Sequence, residues 1–381
     1  MNFLPLVEAM ITYGEALGRE EHALNLNRLT QQVLFNCDVS DARHAGIYSV
    51  CGLAMRLRDL YKWERRIAPW QEDEAALVLD WIGAKEDLWE DLLEAEYSRL
   101  SVGCREYEAF DTQQINAALA GSNYFYGAGY AHHLKPTFVL AEIDREETVA
   151  GYRIRYLGRE HARDLLTLPA FNQDGVVILR TEAARMFLWD QIAYISNSGR
   201  GALDLALAAC GLPDSRTATI RRHYDAVLRV QQHIHLHHEI GELEEQVFNR
   251  QIWQQLLADH AHTAVELLAR TLKDLLADTG PHGALTILLR DRHAAALGLY
   301  MAFGNGMIRL LSQELICAFD AFVQDRRWDP LIRASRSVRR HAVFHAHRVM
   351  ELFTRGRQRH DSKGTRKAIE DFMRRQGWLS N

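Results

Sequence analysis

TFVLAEIDREETVAGYRIRYL, residues 137–157, is the stretch on which the fold class turns, because here the apolar period drops to two. Tyr152, Ile154 and Tyr156 share one face of GYRIRYL, and Arg153 and Arg155 share the other, as expected of a half-buried strand. TFVLAEI reads as its hairpin partner across the polar segment DREETVA. DGVVILRT, from Asp174, reads as a third strand, and Glu160 to Leu166 as a short helix between them. To either side the period is helical. Leu53, Leu57 and Leu60, then Leu77, Trp81, Leu88 and Leu92, recur at three and four, and the helical pattern runs from Leu6 to about Leu119. The aromatic, Gly-rich SNYFYGAGYAHH, Ser122 to His133, interrupts it. The expected fold is therefore mainly α, a multi-helix bundle-like body with a small β insert around 137–181. It divides into an N-terminal helical region (1–135), the insert (136–181) and a C-terminal helical region (182–381).

The 381 residues suffice for two or three folding units, and the apolar and charged fractions are ordinary for globular chains. Five cysteines far apart, with no CxxC pair, suggest neither a disulfide framework nor a thiolate zinc site. The first residues lack the basic and apolar segments of a secretory leader, and no apolar run approaches the roughly 18 to 20 residues of a bilayer span. The expectation is a cytoplasmic protein without membrane contact.

The net charge of -5 conceals a basic tail: Arg326 to Arg375 holds 15 Lys/Arg against 5 Asp/Glu. A stripe of Val338, Ala342, Ala346, Val349, Met350 and Phe353 should pack that tail on the body. Arg333, Arg336, Arg339, Arg340 and Arg348 should then meet carboxylates of the body or of a second copy. A homo-oligomer fits this reading, and strong nucleic-acid binding does not.

The densest chemistry is HIHLHHEIGELEE, His233 to Glu245. Imidazole and carboxylate together most often hold zinc, iron or manganese. On a helical wheel Leu236, Ile240, Leu243 and Val247 form the buried stripe, flanked by His233, His237 and Glu244, with Glu239 on the other edge. His235, His238, Glu242 and Glu245 fall opposite, where solvent is the default. The HxxxH pair His233 and His237 is thus the expected core of a metal site, with Glu239 or Glu244 as a third group and His262 and Glu266 from the next helix as partners. His238 and Glu239 open HExxE, not the HExxH of zinc proteases. His341 and His345 form a second HxxxH. Asp274 and Asp278, near the end of a helix closed by TGPHG, oppose its dipole and call for a compensating cation, cap or ligand. No GxxxxGK[ST], GxSxG or complete GxGxxG is present.

The blocks HHEIGELEE (237–245) and LLARTLKDLLADTGPHGAL (267–285) resemble those of an uncharacterised bacterial family of helical proteins, a resemblance that carries no activity with it. The functional expectation is a helical metalloprotein, in the form of an oxygen-dependent oxidoreductase with Fe, Mn or Zn on the His and Glu residues above. The alternative is a non-enzymatic scaffold or regulator acting through self-association or partner binding.

Overall fold

The computed structural model describes residues 24–304 and 306–379. The part of the expected N-terminal helical pattern on residues 6–23, and Asn305, lie outside them. Sixteen α-helices and seven strands make up the described chain, so the mainly α class holds. The β part is larger than a small insert: five strands form one sheet of order β3-β4-β5-β7-β6, and two more form a separate hairpin. No helix among the described residues is long and apolar enough to cross a membrane. All five cysteines are free thiols.

Two compact units are formed, one from Met1–Arg145 with Tyr156–Thr167, the other from Glu146–Arg155 with Leu168–Asn381. In the first, α1 (Leu26–His44), α2 (Val50–Glu64) and α3 (Ala75–Leu92) precede the hairpin β1 (Leu100–Val102) and β2 (Arg105–Tyr107), and α4 (Thr112–Ala118) follows. α1 turns Leu29, Val33 and Cys37 into a core shared with Leu100, Ile115, Tyr126 and Phe138. The same face carries Ser40 and Asp41 inward, toward a wholly buried Lys135.

The aromatic segment expected to interrupt the helices is strand β3 (Tyr124–Tyr130), paired antiparallel with β4 (Pro136–Val149) from Tyr124 opposite Glu142 to Tyr130 opposite Pro136. Its glycines masked the alternation. DREETVA is not the turn. β4 runs through it, and the chain reverses at Ala150 and Gly151, both at positive φ, into β5 (Tyr152–Arg163). The charges taken for turn residues are cross-strand partners: Glu146 pairs with Arg155, Arg145 lies over the Tyr156 ring, and His161 Nε2 meets Glu142 Oε1 at 2.7 Å. β5 also absorbs the first half of the helix expected at 160–166. β6 (Ala170–Gln173) and β7 (Val176–Arg180) join through Asp174 and Gly175, again at positive φ, with Gln173 opposite Val176.

The second unit is helical after β7: α5 (Thr181–Ala193), α6 (Asn197–Ala209), α7 (Thr217–Arg222), α8 (Tyr224–Glu244), α9 (Arg250–Asp259), α10 (Ala264–Asp278), α11 (Ala284–Arg290), α12 (Ala294–Phe303), α13 (Gly306–Leu311), α14 (Gln313–Asp325), α15 (Trp328–Gln358) and α16 (Ser362–Arg375). α8 is central. It packs against α5, α10, α11, α12, β6 and β7. From Val230 to Glu244 it carries no exposed residue, so the polar residues of that part must find partners inside.

The basic tail packs as its pattern requires, with Val338, Ala342, Ala346, Val349, Met350 and Phe353 all buried. Its arginines do not follow one rule. Arg339 donates to the Leu276 carbonyl (3.0 Å) at the C-terminus of α10, and Arg348 pairs with Glu351 of its own helix (2.6 Å). A cation on the last carbonyls of α10 supplies part of the compensation its acidic end requires.

Gly241 sets how closely α8 approaches α10. A Cβ there would collide with the Ala277 carbonyl, which is backbone and cannot step aside. Gly241→Ala is therefore expected to lower stability by about 1–3 kcal/mol, as overpacking does. A chemical melt checks this, and an unchanged melt would show that the helices separate freely.

Candidate metal centre

α8 and α10 run side by side, and each presents polar residues one turn apart to the other. His238 and Glu242 come from α8, Asp274 and Asp278 from α10. One donor atom each from His238, Glu242 and Asp274 lies within 4.8 Å of the others, the one such group of three among the described residues. His238 Nδ1 is 2.8 Å from Asp278 Oδ1, and the Tyr300 hydroxyl of α12 donates to Asp278 Oδ2 at 2.8 Å. With Nδ1–H held by a carboxylate, Nε2 is the nitrogen left for a ligand. This is the carboxylate–histidine arrangement that orients metal-binding imidazoles. Lys273 Nζ is 3.1 Å from Glu242 Oε1, and Asn172 Nδ2 of β6 donates to Glu239 Oε2 at 3.2 Å.

Four carboxylates, Glu239, Glu242, Asp274 and Asp278, thus share the positive charges of Lys273 and His238. Burial pushes Glu239 up to about 7, with Glu242 adding to it, and burial likewise pushes Asp274 up to about 6 against the pull of His238. Burial also opposes charge on Glu242, but Lys273 and His238 hold its carboxyl below the usual range. For His238 burial is outweighed by Asp278, which keeps the ring cationic well above its ordinary value. A cluster with more carboxylates than cations takes up protons or a metal ion. Either species restores the balance.

The six residues expected as ligands are not gathered at one point. His233 and His237 do lie side by side, ring centroids 4.7 Å apart, on the face of α8 turned to α11 and α12, with His293 stacked on His233 at 5.7 Å. Burial and the two neighbouring rings hold His233 down to about 4. Glu239 binds Asn172. Glu244 accepts from His282 Nδ1 at 2.6 Å. His262 and Glu266 form a helix start: Thr263 caps α10, and Glu266 accepts from the His262 backbone N–H (2.8 Å) and from Arg270 (2.8 Å). That carboxylate is committed to its own helix. Of the second HxxxH, His341 faces Glu314 at 3.4 Å, and His345 packs on Phe372 and Trp378.

A helical wheel with one buried face places His238 and Glu242 toward solvent. α8 has buried or half-buried residues all around, so the side opposite the Leu stripe is a second interface. His235, on that side too, is edge-on to Phe187 at 5.8 Å, and its Nε2 has no hydrogen-bond partner among the described residues.

Burial holds His235 down to about 3, whereas the unfolded chain titrates near 6.5. Below pH 6.5 the unfolded state takes a proton the folded state refuses. The stability present above that pH is lost progressively as pH falls toward the folded value. His235→Phe is expected to flatten the decline in the urea midpoint between about pH 7 and about pH 5; parallel profiles for variant and parent would refute the assignment.

Two family models match, those of the N-terminal domain of a family of unknown function (DUF6866), over residues 28–180, and of its C-terminal domain, over residues 185–372. The chain belongs to this family. The C-terminal match contains α8, α10 and α12, and hence His238, Glu242, Asp274, Asp278 and Tyr300. Neither a curated protein nor a solved structure matches.

Proposed function

We propose that this protein is a helical metalloprotein whose ion is held by His238, Glu242 and Asp274. The observation that carries the reading is the convergence of those three donors within 4.8 Å from two packed helices. Asp278 and Tyr300 support it as the groups that orient the imidazole. One nitrogen and two carboxylate oxygens suit zinc, iron or manganese, and three protein ligands leave coordination positions open. An ion so held polarises a bound molecule or activates water, and iron or manganese adds the dioxygen chemistry of an oxidoreductase. The chain's own part is to fix the ring of His238 through Asp278 and to hold a proton on Glu239 beside the ligands.

Binding must displace the proton on His238 and those on the raised carboxylates, so affinity is expected to rise with pH from about 5.5 to about 7.5. Titrating untagged protein with Mn2+ and Zn2+ across that range tests it. One equivalent bound, more tightly at the higher pH, supports the site; no saturable binding at either pH removes it.

A second reading has a specific observation in its favour. Lys273 neutralises Glu242 and His238 neutralises Asp278, so the same groups serve as a buried polar network tying α8, α10 and α12 in a non-enzymatic scaffold. In that case added metal leaves the melting temperature unchanged. In the metalloprotein reading it rises with metal concentration by mass action.

A further inference from the structure

On another flank of α8, 100° and 140° round the helix from His238, lie His237 and His233. His237 is buried, and its Nδ1 sits 3.0 Å from the His282 carbonyl, which can only accept. That bond fixes the proton on Nδ1 and leaves the Nε2 lone pair unused. A backbone carbonyl on the remote nitrogen is one of the standard supports of a metal-binding imidazole. His233, one turn earlier, makes no hydrogen bond among the described residues, and its ring centroid is 4.7 Å from that of His237. Two imidazoles at adjacent positions on one ion, with metal to nitrogen bonds of about 2.0–2.1 Å, place their centroids about 4.5–5 Å apart, the lower figure for the square-planar geometry of copper and nickel. His293, stacked on His233, uses Nδ1 to accept from the Ala296 N–H at 3.3 Å and so caps α12. It is a wall of the site, with its own lone pair engaged. Carboxylate is scarce on this flank: Asp291 is bound to Arg290 (2.7 Å), and Glu244 to His282.

We propose that His233 and His237 form a second metal site, distinct from the carboxylate-rich centre of His238, that takes a borderline ion preferring nitrogen, Cu2+ or Ni2+ before Mn2+. The preference follows from the donor set, because imidazole selects copper, nickel and zinc whereas oxygen-rich sites accept manganese. Both nitrogens belong to the part of α8 that carries no exposed residue, so the pair is pre-positioned.

Cu2+ is the probe. One equivalent added to untagged protein is expected to give an electron paramagnetic resonance spectrum with superhyperfine coupling from two imidazole nitrogens. His237→Asn keeps a donor for the His282 carbonyl but removes the ligand nitrogen, and it should abolish that pattern and weaken copper binding at least about tenfold. His233→Phe should do the same by a different route, with circular dichroism confirming the fold of each. In the Glu242→Gln/Asp274→Asn variant the two-nitrogen pattern should persist, which separates this site from the proposed centre. Coupling to a single nitrogen, coupling that survives in His237→Asn, or coupling lost only with Glu242 and Asp274 would overturn the proposal.

Discussion

Lys135→Met is expected to destabilise the protein by about 3–5 kcal/mol, the range found when one partner of a buried ion pair is removed. Lys135 is fully buried, its Nζ 2.9 Å from Asp41 and 3.8 Å from Asp164, which are themselves 1% exposed. The ammonium also donates to Ser40 Oγ (3.1 Å) and the Pro136 carbonyl (3.2 Å). The two carboxylates hold backbone in turn: Asp164 accepts from Phe138 N–H and Leu166 N–H, and Asp41 from Leu165 N–H. Together they tie α1 to the start of β4 and to the chain leaving β5. Burial already pushes Asp41 up to about 7, because one ammonium serves two carboxylates. Without Lys135 the Asp41 carboxyl would have to take a proton to stay buried. A carboxyl raised in the folded state favours folding at low pH, and that advantage is lost as pH rises through the folded value. The loss in Lys135→Met should accordingly be larger near pH 8 than near pH 5.5, and adding Asp41→Asn should recover part of it. Urea melts at both pH values decide. A change under about 1 kcal/mol, or one independent of pH, would mean that this cluster does not organise the N-terminal unit.

The second large effect concerns the proposed metal centre. Replacing Glu242 and Asp274 together by alanine removes two of three ligands and is expected to abolish stoichiometric binding. Asp278→Asn leaves all three ligands and alters only the group on His238 Nδ1, so its expected cost is about 10–100-fold in affinity, typical of outer partners of metal-binding histidines. Tyr300→Phe, one bond further out, should cost less. The graded order distinguishes an ion site from a structural network, in which Asp278→Asn would act on the melt and not on metal.

Much of the fold was legible because periodicity is local. The tail stripe from Val338 to Phe353, the half-buried face of GYRIRYL and the strand within DGVVILRT needed no knowledge of neighbours. The strand of Tyr124–Tyr130 was hidden by glycines, and the true turn at Ala150–Gly151 by charges that turned out to pair across β4 and β5.

The site was legible in composition and not in geometry. Both the histidine-rich helix and the acidic end of α10 stood out, and the i, i+4 spacing of His238 with Glu242 was visible in HExxE. Choosing between the flanks of α8 depended on how many neighbours the helix has, which no single-helix wheel contains. Asn172, Lys273 and Tyr300 carry no local signal, since each acquires its role only through packing from β6, α10 and α12. His262 with Glu266 illustrates the converse, a spacing apt for ligands that the chain uses to start a helix.

Crystals of untagged protein equilibrated with Mn2+ or Zn2+, measured on either side of the metal's absorption edge, test the central claim most directly. The account predicts one anomalous peak bounded by His238 Nε2, Glu242 and Asp274, at about 2.0–2.2 Å from each donor, with His238 Nδ1 still on Asp278. Density for Lys273 or water alone at that point, with no anomalous signal after soaking, would contradict it.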